Sequence, residues 1–303
     1  MKKDDPVLRQ YILITPAKNE GKNLPSCITS VANQTIKPVL WVIIDDGSTD
    51  NTPEIIKDAK KKYNWIQSIT LEGGVRDLGI HYSYVCKKGF DFAIEYCKEH
   101  EIRYNYIGHI DADVLLEETY FEDLIKEFEK DNKLGIASGE TWSIAGDCLI
   151  HAKQREDLSS GAARLWRKEC FDDIGGYSLT YAVDAVTNVK AKLRGWKVKR
   201  FKEYKFTQMR ITSSAEGLWK GWKKQGETAY YLDVPPLFVA VKAIRYLFKK
   251  PYYIGLAFLI GYMNSYISRK EKSSDEEIKH YYRYMRPQEL KKFYWSKFKK
   301  LSR

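Results

Sequence analysis

The sequence has few cysteines and no long apolar run, and these absences exclude whole classes of protein. Its five cysteines are odd in number and form no CxxC pair. This pattern argues against a disulfide framework or a zinc knuckle and favours a reducing compartment. No apolar segment accompanies the N-terminal "MKKDDPVLRQ", so we expect no signal peptide and a location in the cytoplasm. We find no internal repeat and no low-complexity linker, and 303 residues suit one large domain or one domain with an extension.

Positive charge is scarce in the first part of the chain and abundant in the second. The net charge is +11, but residues 1–193 hold 25 Lys/Arg against 31 Asp/Glu, whereas residues 194–303 hold 26 against 9. Such asymmetry indicates an anionic partner for the second part, either a membrane or a nucleic acid. A solvated basic face on a lysine-rich protein is the alternative explanation.

The first two thirds of the chain alternate apolar runs with helical patterns, which predicts an α/β fold. We expect strands at 11–17, 38–46, 66–72, 104–113 and 134–142, and helices at 23–35, 51–63, 81–100 and 119–131. Near-continuous apolar strands separated by helices favour a largely parallel sheet covered on both faces. Further on, we expect a short helix and a Gly-Gly turn within 161–178, a helix over 183–195 that ends at Gly195, and a strand at 196–201.

Polar residues follow three of the predicted strands. The strands run into "TPAKNE" (15–20), "DDGSTD" (45–50) and "DAD" (111–113). Because ligands of such sheets sit outside the carboxyl ends of the strands, we expect all three segments to face one crevice. Two aspartates one residue apart suit Mg²⁺ or Mn²⁺, which prefer oxygen ligands and often share them with a phosphate. Aspartate is also common in ordinary turns, so the pair alone is a weak signal.

Four segments together resemble the family 2 glycosyltransferases. They are "TPAKNEGKNLPSCITSVANQTIKPVLWVIIDDGSTDNT" (15–52), "HIDADV" (109–114), "RKECFDDIGGY" (167–177) and "VDAVTNVKAKLRGWKV" (183–198). The resemblance covers roughly residues 10–210 and implies the GT-A fold, a Rossmann-like and mostly parallel sheet with helices on both faces. It implies a catalytic domain over 1–215, with nucleotide-sugar binding in 10–115 and the acceptor and catalytic part in 116–215. A helical, basic extension would follow over 216–303.

The resemblance also implies roles for individual residues. Asp113 and Asp111 would coordinate a divalent metal, Mn²⁺ or Mg²⁺, that bridges the diphosphate of the sugar nucleotide. Asp184 would be the general base, although Val183 stands where the family has glutamate; a helix N-terminal aspartate favoured by the helix dipole is the alternative. The residues expected to bind the nucleotide sugar are Pro16, Ala17, Asn19, Glu20 (ribose or base), Asp45 (loop support), Asp46 (base), Asp111, Gln208 and Arg210.

The function implied is that of a metal-dependent, inverting hexosyltransferase. It would move a sugar from a nucleotide-diphosphate sugar to a hydroxyl of a lipid-linked or polysaccharide acceptor, as in the synthesis of cell-envelope polysaccharides. Trp142, Trp166 and Tyr177 belong either to the acceptor side or to the core. Alternatives are a soluble transferase with another acceptor, a nucleotide-sugar-binding subunit, or a nucleic-acid binder. Because the last leaves the clustered carboxylates unexplained, no nucleic-acid partner is expected.

The basic second part predicts contact with an anionic membrane surface. Residues 234–248 and 252–267 are apolar, but each is shorter than the ~20 residues that a spanning helix needs. We therefore expect helices in the membrane interface or a re-entrant pair, and a peripheral or monotopic protein on the inner face of the cell membrane. The tail 287–303 has the pattern of a basic amphipathic helix suited to anionic lipid. A helix that packs on the domain or forms an oligomer contact is the alternative.

Overall fold

The computed structural model describes residues 9–72, 79–146, 148–151, 155–210, 217–248, 250–291 and 295. The chain divides into two units, Met1–Ile211 and Thr212–Arg303. The described part of the first unit contains nine strands that belong to one sheet. They are β1 (Tyr11–Ala17), β2 (Leu40–Asp45), β3 (Ile66–Thr70), β4 (Tyr106–Ile110), β5 (Val114–Leu116), β6 (Leu134–Ala145), β7 (Cys148–His151), β8 (Ala163–Arg167) and β9 (Lys197–Gln208).

The strand order is β3-β2-β1-β4-β8-β6-β9-β5, and β7 pairs with β6 at its side. Strands β3, β2, β1 and β4 run parallel to one another, and β6 runs parallel to β9. Strand β8 is antiparallel to both β4 and β6, and β5 is antiparallel to β9. The predicted α/β architecture with a mostly parallel sheet is therefore confirmed, and every antiparallel pair involves β5, β7 or β8.

Helices cover both faces of this sheet because side chains alternate along each strand. In β1, Tyr11 and Leu13 pack on one face, and Ile12 and Ile14 pack on the other. The first face is covered by α1 (Leu24–Ala32), α2 (Thr52–Lys62) and α4 (Tyr120–Lys130). The second is covered by α3 (Ile80–Glu99), α5 (Lys168–Asp173) and α6 (Val183–Leu193). The carboxyl ends of β1, β2 and β4 are left at one edge of the sheet.

Several details differ from the sequence-based expectations. Strands β5, β7 and β8 were not predicted, and β8 lies inside the stretch 161–178 that was expected to contain only a short helix and a turn. The strand predicted at 196–201 extends to Gln208 because it pairs along its length with β6 and then with β5. The predicted end of the helix near Gly195 is confirmed, since α6 ends at Leu193, Arg194 caps it, and Gly195 follows with a positive φ of 82°.

The second unit is helical. It contains α7 (Leu218–Tyr231), α8 (Pro236–Leu247), α9 (Ile254–Ile267) and α10 (Glu276–His280), followed by a π-helical turn over Tyr281–Met285. Glycines at 226 and 261 allow the backbones of α7 and α9 to touch, because a Cβ at either position would meet a main-chain carbonyl of the facing helix. Of the predicted face of the tail helix, Leu290 is described, whereas Phe293, Tyr294, Phe298 and Leu301 lie outside the described residues.

Among the described residues, no helix has both the length and the apolar content that crossing a bilayer requires.

Candidate functional site

A single arginine holds two buried carboxylates at the edge where the parallel strands end. The Arg210 guanidinium lies 2.5 Å from Glu20 Oε1 through Nη2 and 2.6 Å from Asp113 Oδ2 through Nε. Glu20 and Asp113 are 3% and 2% exposed, so both negative charges are largely removed from water. Such charges are tolerated when they are paired and hydrogen-bonded, and Arg210 provides the positive partner here.

Strand pairing explains how Arg210, distant in sequence, reaches Asp113. Asp113 directly precedes β5 and Arg210 closely follows β9, and these strands are antiparallel with Val114 opposite Gln208. The Met209 amide continues this pairing by donating to the Asp113 carbonyl at 2.8 Å. The three predicted residues Asp113, Gln208 and Arg210 are thus brought together by β5 and β9.

The loops after β1 and β2 are held to each other by hydrogen bonds. The Asn19 amide donates to Ser48 Oγ at 2.9 Å, and the Thr49 amide donates to Asn19 Oδ1 at 2.7 Å. Asn19 has a positive φ of 54°, which asparagine tolerates better than most residues. Asp45 Oδ1 accepts from the Ser48 amide at 3.0 Å. The two predicted polar segments therefore form one wall of the crevice.

Asp46, the residue expected to contact the base, lies between two basic side chains. Lys18 Nζ is 3.2 Å from Asp46 Oδ2, and His81 Nε2, near the start of α3, is 2.9 Å from both carboxylate oxygens. The Asp46 amide donates to the carbonyl of Ala17 at 2.9 Å, which places Pro16 and Ala17 alongside. Asp46 is thereby fixed at the carboxyl ends of β1 and β2.

Asp111 is held by Tyr82, which in turn contacts the buried His109. The Tyr82 hydroxyl donates to Asp111 Oδ1 at 2.8 Å and lies 3.1 Å from His109 Nε2. Burial, and next to it the charge of Asp113, raise the pKa of Asp111 to about 7. Burial also lowers the pKa of His109 to about 3, with Arg164 adding to the effect, so that this imidazole is neutral. Its Nδ1 therefore donates to the Gly161 carbonyl at 2.9 Å.

Asp184 lies in the first turn of α6, and its carboxylate forms an ion pair with Arg164 of β8. Arg164 faces His109 across the β4–β8 pair, and His109 contacts Tyr82. Asp184 is thus linked to Asp111 through a chain of contacting residues rather than directly. Val183, which replaces the family's glutamate, is 3% exposed and packs in the core.

The expected aromatic acceptor residues separate into two groups. Trp166 and Tyr177 are 0% and 3% exposed and pack against Phe90, so they belong to the core and not to an open acceptor surface. Trp142 is half-buried and stacks on His151 with ring centroids 4.8 Å apart. His151 Nε2 in turn lies 2.5 Å from the buried carboxylate of Glu140.

The donor set at this edge fits a hard divalent cation. In the part of the chain that the structure describes, no three side chains of the His, Cys, Asp or Glu type form a metal cluster. Mg²⁺ at sites that handle phosphates is often bound by only one or two carboxylates, with substrate phosphates and water completing the coordination. Asp111 and Asp113 would provide those carboxylates, and Tyr82 and Arg210 fix their orientation.

Sequence reasoning missed five side chains that support the site. They are Lys18, His81, Tyr82, His109 and Arg164. Lys18 and His109 lie inside the quoted motifs, so their proximity to the predicted site residues in the sequence could have indicated a role for them. His81, Tyr82 and Arg164 lie on α3 and β8, and no local pattern connects them with the strand ends.

A separate surface of interest lies on α8 of the second unit. Leu237, Val241, Ile244 and Phe248 recur at spacings of four, three and four residues, so they share one face of the helix. They are 72%, 59%, 55% and 81% exposed, whereas the opposite face packs into the helical core through Val239 and Ala243. We call these four residues the α8 stripe. Two exposed basic residues, Arg245 and Lys250, lie near it in sequence, whereas Nζ of Lys242 lies 4.6 Å from the ring centroid of the buried Phe258.

Solved structures share this fold at low sequence identity. A mannosyltransferase from Pyrobaculum calidifontis in complex with GDP-Man and Mn²⁺ has a TM-score of 0.54 and 15% identity, covering 90% of this chain and 79% of that one. Staphylococcus aureus TarS in complex with UDP-GlcNAc has a TM-score of 0.51 and 14% identity, covering 86% and 73%. At this identity the likeness establishes the fold alone, which is that of the GT-A transferases.

Sequence comparison identifies the family. The poly-β-1,6-N-acetyl-D-glucosamine synthase of Staphylococcus epidermidis is 25% identical over 257 residues, which cover 76% of this chain and 57% of that protein. The chain spans about half the length of the curated relatives of this kind that it matches. Residues 12–181, more than half of the chain, match the family described as glycosyl transferase family 2. The chain therefore belongs to glycosyl transferase family 2.

Proposed function

We propose that this chain is an inverting, metal-dependent glycosyltransferase that moves a sugar from a nucleoside-diphosphate sugar to a hydroxyl of a lipid-linked or polysaccharide acceptor. The observation that carries the proposal is the meeting of Glu20, Asp113 and Arg210 at the carboxyl ends of the strands. Carboxylates for a cation and a guanidinium for a phosphate are what a nucleotide diphosphate requires.

The nucleotide would bind against the wall formed by the loops after β1 and β2. Asp46 would accept from the base, while Asn19 joins the two loops and Asp45 supports the loop after β2. Glu20 would accept a hydrogen bond from the ribose or base. Gln208 and Arg210, at and just after the end of β9, would contact the diphosphate. A divalent cation held by Asp111 and Asp113 would supply positive charge against the developing charge of the leaving diphosphate.

The chemical step would be one displacement at the anomeric carbon. The acceptor oxygen forms a bond to that carbon while the bond to the diphosphate oxygen breaks, and the configuration inverts. The Asp184 carboxylate takes the proton of the acceptor hydroxyl, a role that suits a partly exposed carboxylate. No second carboxylate acts as nucleophile, in contrast to retaining glycosidases.

Binding and turnover of a donor panel test this proposal. The protein is incubated with Mn²⁺ or Mg²⁺ and nucleotide sugars including UDP-GlcNAc and GDP-mannose, and donor affinity and hydrolysis are measured. Asp113→Asn should abolish the metal-dependent part of donor binding. Asp91→Asn, a carboxylate paired with Lys87 on the exposed face of α3, is the matched control and should bind normally. Failure of every donor to bind with metal, or equal binding by both variants, would refute the proposal.

The relatives support the proposed acceptor class. The matched relatives include synthases of poly-β-1,6-N-acetyl-D-glucosamine, a polysaccharide, and this motivates a growing or lipid-linked glycan as acceptor. Transfer is measured by adding such glycans to the donor that binds best and following the release of nucleoside diphosphate. A rate that exceeds hydrolysis only with small soluble alcohols or proteins would favour the soluble alternative.

We further propose that the α8 stripe contacts an anionic membrane surface. Fully burying an aliphatic or aromatic side chain contributes roughly 1.5–3 kcal/mol, so placing four half- to mostly exposed side chains in lipid would contribute on the order of 5 kcal/mol. The neighbouring Arg245 and Lys250 match an anionic leaflet, at about 1 kcal/mol each. The stripe is too short to span, which agrees with a helix lying in the interface.

Vesicle flotation tests this surface. With vesicles containing phosphatidylserine, Ile244→Glu should reduce the bound fraction strongly, because a carboxylate enters the apolar stripe. Leu179→Glu changes a similarly exposed leucine, 51% against 55% for Ile244, outside the stripe and should float normally. Equal flotation by the two variants, or binding unaffected by replacing phosphatidylserine with neutral lipid, would contradict the proposed partner.

A further inference from the structure

Arg164 is a wholly buried arginine whose guanidinium pairs with Asp184, the proposed base. It is 0% exposed, and its guanidinium lies 4.7 Å from the ring centroid of Trp166. Its Nη2 forms an ion pair with Asp184 Oδ1, and its Nη1 lies 3.5 Å from the Asp184 carbonyl. Burying a guanidinium is costly, and an anionic partner at this position offsets the cost.

The two oxygens of the Asp184 carboxylate have different surroundings, because Oδ1 pairs with Arg164 and Oδ2 lies beside Gly161. Its Oδ1 is inaccessible to solvent, yet the side chain as a whole is 41% exposed. Of the two carboxylate oxygens, only Oδ2 is therefore left for an acceptor. An acceptor hydroxyl would meet this oxygen, while the first oxygen stays directed at Arg164.

Gly161 leaves the room that this arrangement needs. A Cβ at position 161 would collide with the Asp184 carboxylate. The Gly161 main chain is itself fixed, because its carbonyl accepts from Nδ1 of the buried His109 at 2.9 Å. The carboxylate thus lies between the guanidinium of Arg164 and a backbone segment that cannot shift freely.

We propose that Arg164 is a positioning residue that orients the Asp184 carboxylate, with Oδ1 anchored and Oδ2 presented to the acceptor. This inference rests on the proposed function, in which Asp184 is the base. The position before Asp184 is occupied by a core valine, so the neighbouring residue in the chain provides no polar contact for the carboxylate. Anchoring from β8 supplies the orientation on which general-base catalysis depends.

The test uses the full chain, Mn²⁺ and the best-binding donor of the panel, with water as acceptor. Arg164→Met keeps the volume of the side chain and removes its charge. We expect kcat to fall about 10- to 100-fold, as for a misplaced catalytic group, and the KM for the donor to change less than about 3-fold. Arg164→Lys retains a buried charge and should recover part of the lost kcat.

A double-mutant cycle with Asp184→Asn separates orientation from general damage. Asp184→Asn alone should reduce kcat about 10²- to 10⁴-fold, as for loss of a general base. If Arg164 acts through Asp184, then adding Arg164→Met to Asp184→Asn costs no further activity. A further loss of the same size in the double variant would overturn the inference, as would an unchanged kcat in Arg164→Met.

Two further results keep the inference distinguishable from the proposed function and from misfolding. If Asp184→Asn retains full kcat, the base assignment fails, and with it the role of Arg164. If Arg164→Met does not fold, Gly161→Ala displaces the same carboxylate without changing the arginine. Gly161→Ala should lower kcat with unchanged donor affinity, and full activity in this variant would count against precise placement of Asp184.

Discussion

The pairing of Arg210 with Glu20 and Asp113 predicts an unusual dependence of stability on one arginine. Arg210→Met removes the positive charge and leaves two buried carboxylates side by side. Their side chains are 4% and 3% exposed, so water screens them little. Removing one partner of a fully buried ion pair costs ~3–5 kcal/mol. Because 33% of the Arg210 side chain is exposed, we expect a smaller loss of about 2–4 kcal/mol in the free energy of unfolding.

Arg9→Met is a closely matched control. Arg9 also pairs with a glutamate through a guanidinium, and its side chain is 31% exposed, close to that of Arg210. Its partner Glu129 is 29% exposed, however, and an exposed pair contributes ~0–1 kcal/mol. The two variants therefore differ mainly in the burial of the carboxylates.

Urea denaturation without metal, followed by intrinsic tryptophan fluorescence, measures both variants. Arg210→Met should lower the midpoint much more than Arg9→Met. Mn²⁺ should then stabilise Arg210→Met more than the unmodified chain, because a bound cation replaces the missing charge. Mn²⁺ at a concentration of ~100 times its Kd would add about 2.7 kcal/mol to the free energy of unfolding. Equal losses in the two variants, or Mn²⁺ stabilisation that is no larger in Arg210→Met, would refute the electrostatic reasoning.

Two further predictions concern packing and acid stability. Gly226→Ala should destabilise the helical unit by about 1–3 kcal/mol, because the added methyl group meets the backbone of α9. Limited proteolysis of the full chain and its thermal midpoint measure this loss. Unchanged resistance to proteolysis would contradict the close contact. Although burial acts in the opposite direction, hydrogen bonds from Arg155 and Lys192 lower the pKa of Asp157 to about 2. Because this pKa is lower in the folded state, the ionised carboxylate stabilises the fold above the unfolded value of 3.8, and this contribution is lost as the pH falls through about 2. Asp157→Asn should therefore make the free energy of unfolding less dependent on pH between about pH 4 and 2. An unaltered dependence would show that the carboxylate is not involved.

How far the sequence predicts the site depends on the distance over which residues interact. The strand-end loops at 15–20 and 45–50 lie together because consecutive parallel strands end at one edge, and local periodicity is enough to infer this. The partner of Asp113 was expected to be a metal, whereas the structure places the Arg210 guanidinium against this carboxylate. That contact depends on β5 pairing with β9, which no local pattern indicates.

The same reasoning explains the aromatic residues and the base. Trp166 is an aromatic residue of the kind that can contact a sugar, but β8 inserts between β4 and β6 and buries it. The ion pair of Arg164 with Asp184 likewise depends on where α6 packs relative to β8. Residues far apart in sequence gain their partners only when the sheet is assembled.

By itself, the sequence determined the alternation of apolar strands and helices, the polar strand ends, and the family resemblance, because each is a property of a short segment. Only the tertiary structure decided the strand order beyond β4, the charges that hold Glu20, Asp113 and Asp184, and the exposure of one face of α8. The physical reason is that ion pairing and burial depend on the free energy of long-range packing, to which the local pattern of side chains contributes only a part.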